Sequence, residues 1–219
     1  PLSRLFFVAA TAVLLALPVL ADSSWDEVMT QGTAAFKQGR HSDAITAFTE
    51  AVKQARDFVQ PDPRLAQSLN DLGLSYQNAG KYAEAEDFYQ QAISLREQLS
   101  AKEPLAALPP LRNLALLYRV QNKFDLSEQA YRRAIAIAES AAPNGDQMAT
   151  SLNDLALLFS KQGKGEQAVP HMVRAIGIIR GLKGPENQGL PTLMSNLGEV
   201  YGSQGRYVEA VEMYEQVLK

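Results

Sequence analysis

The sequence predicts an all-α chain built as a stack of about five helix pairs, and three observations predict it. Within Ser68–Leu95, Leu69, Leu72, Gly73 and Tyr76 fall at helical spacing, Gly80 breaks the run, and Tyr82, Ala85, Tyr89 and Ala92 start a second helical stripe. The same order returns along the chain, with the small residue of each first helix at Gly32, Gly73, Ala115, Ala156 and Gly198, at spacings of 41, 42, 41 and 42. Four near-equal periods mark a repeat array. Between the pairs stand breakers: Pro61-Asp62-Pro63, Pro109-Pro110, Pro143-Asn144-Gly145-Asp146, and Gly184-Pro185 through Pro191.

Residues 1–21 differ from everything after them. Arg4 supplies a positive charge, Leu5 to Leu17 are apolar except for Thr11, and Pro18-Val19-Leu20-Ala21 closes with small residues at −3 and −1. This is the layout of a secretory signal peptide cleaved after Ala21, which predicts export to a periplasmic or extracellular space. The alternative is an uncleaved anchor, which would be the one membrane contact of the chain. Against it, the apolar run from Leu5 to Leu20 is 16 residues, short of the ~20 needed to span a bilayer. Because the sequence opens on Pro1 without Met, a few earlier residues are expected.

The repeats start at Trp25 and run over about 25–60, 66–103, 108–142, 149–183 and 191–219. In each first helix a position facing the small residue reads Ala35, Tyr76, Tyr118, Phe159 and Tyr201. The turn reads Gly39, Gly80, Asn122, Gly163 and Gly205, where a left-handed residue must end the first helix; Gly supplies that conformation and Asn tolerates it. The second helix opens at His41, Tyr82, Phe124, Gly165 and Tyr207. It carries small residues at Ala44, Ala85, Ser127, Ala168 and Ala210, and large ones at Phe48, Tyr89, Tyr131, Met172 and Tyr214. Gly or Ala at the close-approach points lets two helix backbones pack near the ~8 Å end of the interaxial range. The large side chains then fill the wedge those small residues leave.

The order Leu-Gly/Ala-Tyr, Gly-Lys-Tyr, Ala, Tyr, Ala resembles the tetratricopeptide repeat (TPR). The usual TPR period is about 34 residues, so the chain is closer to the long-period, kinesin-light-chain type. Ser151–Phe159 (SLNDLALLF), Gln162–Lys164 (QGK), Pro170 in a second helix and Gly184-Pro185-Glu186 are similar to that class. The resemblance spans residues 24–219 and implies a right-handed α-solenoid. The first repeat departs most, with Gln31 in place of Leu and Ala35 in place of a ring, as terminal repeats often do. The last stops at Lys219 before its second helix matches Ala85–Gln98, so the sequence is expected to be the N-terminal part of a longer protein.

Composition excludes several functions. A net charge of −3 argues against a general nucleic-acid binder, which needs a concentrated basic face. With no Cys there is no disulfide, thiolate metal site or Cys nucleophile. His41 and His171 have no His or Cys at ligand spacing, and Gly80-Lys81 and Gly163-Lys164 lack the rest of a phosphate loop. No enzyme activity, metal, cofactor or small-molecule substrate is expected. Asp71 and Asp154, at the same register of their first helices, read as solvated ladder groups.

A binding surface is the better expectation. In this architecture the first helices line the concave side. The column expected to be most exposed reads Met29, Asn70, Arg112, Asn153 and Ser195; beside it run Thr30, Asp71, Asn113, Asp154 and Asn196; one turn on come Phe36, Gln77, Arg119, Ser160 and Gly202. Asn is a poor helix-interior residue, yet Asn70, Asn113, Asn153 and Asn196 all sit in first helices. Either they give paired donors and acceptors to a bound peptide backbone, or they bond neighbouring helices; the two roles are compatible. Arg112 and Arg119, seven residues apart, share a helix face; either they fork onto a ligand carboxylate, or they form a solvated pair balanced by Asp71 and Asp154. The two-carboxylate clamp of the chaperone-binding subtype is absent, since its positions read Asp26, Gln67, Pro109, Thr150 and Thr192, and Leu74, Leu116 and Leu157 replace its Asn. The expected sites are therefore Asn70, Gln77, Arg112, Asn113, Arg119, Asn153 and Asn196, and the expected partner is a protein or peptide. The alternatives are a self-associating spacer, or a regulatory array whose effector domain lies beyond residue 219.

Overall fold

The computed structural model describes residues 24–182 and 188–218. The leading segment 1–21, the Gly184-Pro185-Glu186 turn and Lys219 lie outside the described residues. Ten helices follow in order: α1 (Trp25–Lys37), α2 (His41–Arg56), α3 (Pro63–Asn78), α4 (Tyr82–Gln98), α5 (Leu108–Val120), α6 (Phe124–Ala141), α7 (Asp146–Lys161), α8 (Gly165–Gly181), α9 (Leu190–Ser203) and α10 (Tyr207–Val217). Each odd helix packs antiparallel on the even helix after it, and the pairs stack into an all-α solenoid.

Local chemistry sets the boundaries. At the start of α1, Ser24 Oγ accepts from the Glu27 amide while Glu27 Oε2 accepts from the Ser24 amide, a reciprocal cap. Asp62 caps α3 by accepting from the Arg64 amide at 2.8 Å, with Pro63 in the first turn. The turn inside each pair is the same five times over. Gly39, Gly80, Asn122, Gly163 and Gly205 take φ of 72°, 75°, 59°, 71° and 76°. The amide that follows each of them reaches back to a carbonyl of the first helix, as Lys81 does to Tyr76 at 2.9 Å and Lys123 to Tyr118 at 2.9 Å. Asn122 thus does the work of glycine, as its place in the turn column predicts.

The small-residue column is filled as expected. A Cβ built on Gly32 would lie 2.6 Å from the Phe48 ring, and one on Gly73 would lie 2.9 Å from the Tyr89 ring. The second-helix side chain therefore lies flat on the first-helix backbone, and both glycines are required by that approach. Tyr89, Tyr131 and Met172 are buried in this way and form the spine of the core.

The stack is held differently on its two sides. First helices of successive repeats meet directly, α3 on α5, α5 on α7 and α7 on α9. Short side chains suffice to join them, as with Asn113 and Asn70. Second helices are joined by long ones: Arg133 with Glu97, Arg174 with Glu139 at 2.7 Å, and Arg180 with Gln216 at 2.6 Å. Close inner spacing and wide outer spacing make the first-helix side the concave one.

Candidate ligand-binding groove

The groove floor consists of the first helices, and its polar residues join one repeat to the next. Asn113 Nδ2 donates to Asn70 Oδ1 at 2.9 Å, and Asn196 Nδ2 donates to Asn153 Oδ1 at 2.9 Å. Arg112 Nε donates to Asp154 Oδ2 at 2.6 Å. All three contacts link residues 42 or 43 positions apart, so they are one inter-repeat contact used repeatedly with different side chains. The helix-bonding role of the asparagines is thereby present, and it leaves capacity over. Asn153 Nδ2, Asn196 Oδ1 and Asn113 Oδ1 have no hydrogen-bond partner among the described residues.

The exposure expected from sequence needs correction. The column expected to be most exposed is mostly covered: Met29 is 6% and Asn153 9% exposed, while Asn70, Arg112 and Ser195 are half-buried. Met29, Asn70, Arg112 and Asn153 are engaged along the stack by residues of the next first helix rather than turned out of the groove. Asn113, Asn196, Gln77 and Arg119 are also half-buried. Leu74 and Leu157 pack partly against the core, and Leu116 is half-buried, so the floor has an apolar component.

Asp71 and Asp154 are half-buried rather than solvated on an open ladder. Burial holds both carboxyls above the ordinary range; Arg112 and then Arg119 pull Asp154 back, while Asp71 has only a hydrogen bond from Asn70 Nδ2 at 3.0 Å. The buried phenols behind the floor respond to the same charges. Tyr89 is pushed up by burial and by Asp71, and its hydroxyl donates to Gln77 Oε1 at 2.9 Å. Tyr131 is pushed up by burial and Asp154, with Arg119 and Arg112 opposing. Arg119 makes no ion pair within 4.0 Å among the described residues and acts on Asp154 and Tyr131 only at longer range. Asp71 and Asp154 stand in the second concave column, as the sequence places them, but as half-buried groups rather than a solvated ladder, and Tyr89 and Tyr131 back them from the core. The available signal for this was the 42-residue offset that sets Arg112 against Asp154.

The two histidines take no part. His41 meets Phe36 edge-on at 6.2 Å, and His171 stacks on Phe159 at 5.9 Å, where burial lowers its pKa. Among the described residues no group of His, Asp and Glu is arranged to hold a metal ion, and no helix is long and apolar enough to cross a membrane.

The tetratricopeptide-repeat profile matches residues 27–98, 106–178 and 147–219, nearly all of the repeat region. The chain belongs to the tetratricopeptide repeat family. Among curated relatives this TPR chain is similar to the photosystem I assembly protein Ycf3 of Prochlorococcus marinus (strain MIT 9303), 30% identical over 95 residues, 43% of this chain and 48% of Ycf3. It thus spans about half the length of that relative. A putative kinesin light chain of Podosopora anserina with nearly identical TPR-like repeats superposes with a TM-score of 0.70 at 19% identity, covering 88% of this chain and 92% of the other. The Rap conjugation gene regulator of plasmid pLS20, solved with the Phr* peptide, superposes with a TM-score of 0.68 at 16% identity, covering 89% and 52%. At these identities the two structures establish a shared solenoid fold.

Proposed function

We propose that the TPR array is an exported protein–protein interaction scaffold that holds a peptide or partner helix in its concave groove. The carrying observation is that the groove floor keeps hydrogen-bonding and charged groups that the stack does not consume. Among the described residues Arg119 has no ion pair within 4.0 Å, and Asn113, Asn153 and Asn196 hold unused donors or acceptors. A ligand backbone would take the free amides, a ligand carboxylate would meet Arg119, and the half-buried leucines would receive an apolar anchor. Each contact of this kind contributes about 1 kcal/mol, so affinity has to come from several repeats together. The Rap regulator solved with a peptide supports the reading by fold. Export rests on the layout of residues 1–21.

The test is selection of a random peptide library on the wild-type chain and on an Arg119→Glu, Gln77→Ala variant of equal helix content. Peptides enriched on the first and lost on the second support the groove. Enrichment of the same peptides on both, or of none on the wild type, refutes it.

A further inference from the structure

We infer that Asp71 is a subsite for a cationic group of the ligand, a guanidinium or an ammonium. The inference rests on the groove reading above and says which charge the groove takes at which repeat. It starts from an internal comparison. Asp154 on α7 receives Arg112 from the first helix one repeat earlier, at 2.6 Å. Asp71 is the corresponding residue of α3, and the position matching Arg112 one repeat earlier is Met29. Met29 carries no charge, and its Sδ is turned to Ser68 Oγ at 3.6 Å. The chain therefore builds the same half-buried carboxylate twice and supplies the cation once.

No other element makes good the difference. From the following repeat, Asn113 donates to Asn70, and Asn70 donates to Asp71 Oδ1 at 3.0 Å. Asp71 Oδ2 has no hydrogen-bond or ion-pair partner among the described residues. Lys37, two turns beyond Met29 on α1, lines the adjoining hollow and makes no ion pair within 4.0 Å among the described residues. An open hollow of about 600 Å³ lies on the approach from α1, along Trp25, Asp26, Met29, Thr33 and Lys37, and ends at Gln67, one turn before Asp71. A guanidinium set against Asp71 would reproduce in trans what Arg112 does for Asp154 in cis, a charge-assisted bond to a carboxylate already partly removed from water. With Arg119 unpaired on α5, the groove then has a seat for a cation over α3 and a seat for an anion one repeat on. That polarity fixes the direction in which a peptide lies.

The test titrates the chain with N-acetyl-arginine amide, and with N-acetyl-citrulline amide as the neutral isostere, reading side-chain amide NMR signals of Asn70 and Gln77. Saturable shifts with arginine, binding about tenfold weaker or absent with citrulline, and loss of the response in Asp71→Asn are expected. Met29→Arg, which seats an internal guanidinium, is expected to abolish the response too; if that variant unfolds α1, Asp71→Asn decides alone. Equal shifts from both amides, shifts that survive Asp71→Asn, or no shift at all overturn the subsite. The peptide selection separates the two readings: a library that enriches on the groove without a basic residue overturns the subsite and leaves the groove reading standing.

Discussion

Adding one methyl group at two equivalent glycines should move stability in opposite directions. Gly73→Ala places a Cβ 2.9 Å from Tyr89 Cε1, 3.0 Å from Cδ1 and 3.3 Å from the Ala85 carbonyl oxygen. Tyr89 is 0% exposed and its hydroxyl is tied to Gln77, so the ring can yield only by straining its neighbours. Overpacking of this kind costs about 1–3 kcal/mol, and the helix propensity of Ala over Gly returns up to about 1 kcal/mol. The net expectation is a loss of about 1–2 kcal/mol. Gly198→Ala meets Tyr214 Cε1 at 2.8 Å, but that ring is 41% exposed and turns away into solvent. Propensity then dominates, and a gain of about 0.5–1 kcal/mol is expected. The assay is urea unfolding followed by far-UV circular dichroism, with hydrogen exchange in α4 and α10 to localise each effect, since repeat arrays open piecewise. Equal shifts of the same sign would refute the argument that ring burial decides the outcome.

Three further predictions follow from the same structure. Asn122→Gly should leave stability unchanged or raise it by a few tenths of a kcal/mol, whereas Asn122→Ala should lower it by about 1 kcal/mol, because the turn holds φ at 59°; thermal denaturation of both variants checks this. Asp71→Asn should stabilise the chain at pH 7. Burial raises the folded pKa of Asp71 above its ordinary 3.8, so the protonated form favours folding: its contribution is present below 3.8 and lost as pH rises through the raised value. The advantage of Asn should therefore shrink as the pH falls, and unfolding curves from pH 3 to 7 test that trend. Arg112→Ala should cost about 1–3 kcal/mol by leaving Asp154 unpaired, and adding Asp154→Asn should recover most of it in a double-mutant cycle.

The fold was legible because its determinants are periodic. Gly32, Gly73 and Gly198 lie under rings, and the turn column, Asn122 included, is left-handed throughout, both as the sequence columns require. The groove was less legible, because its partners are chosen between repeats. Sequence spacing within α5 shows that Arg112 and Arg119 share a face, but only the offset between α5 and α7 shows that Arg112 is taken by Asp154 while Arg119 makes no ion pair within 4.0 Å among the described residues. The same offset turns Met29 and Asn153 into the stack, which a reading of each helix in isolation assigns to the open face. Asp71 and Asp154 were misread for a related reason: carboxylates at a repeat period suggest a solvated ladder until the neighbouring helix covers them.

Photo-cross-linking of a library-selected peptide, with the attachment sites located by mass spectrometry, tests most directly whether the first helices form the binding face. The account predicts sites on α3, α5, α7 and α9, clustered around Gln77, Asn113, Arg119 and Asn196. Cross-links concentrated on α4, α6 and α8, or spread evenly over both sides of the stack, would contradict it.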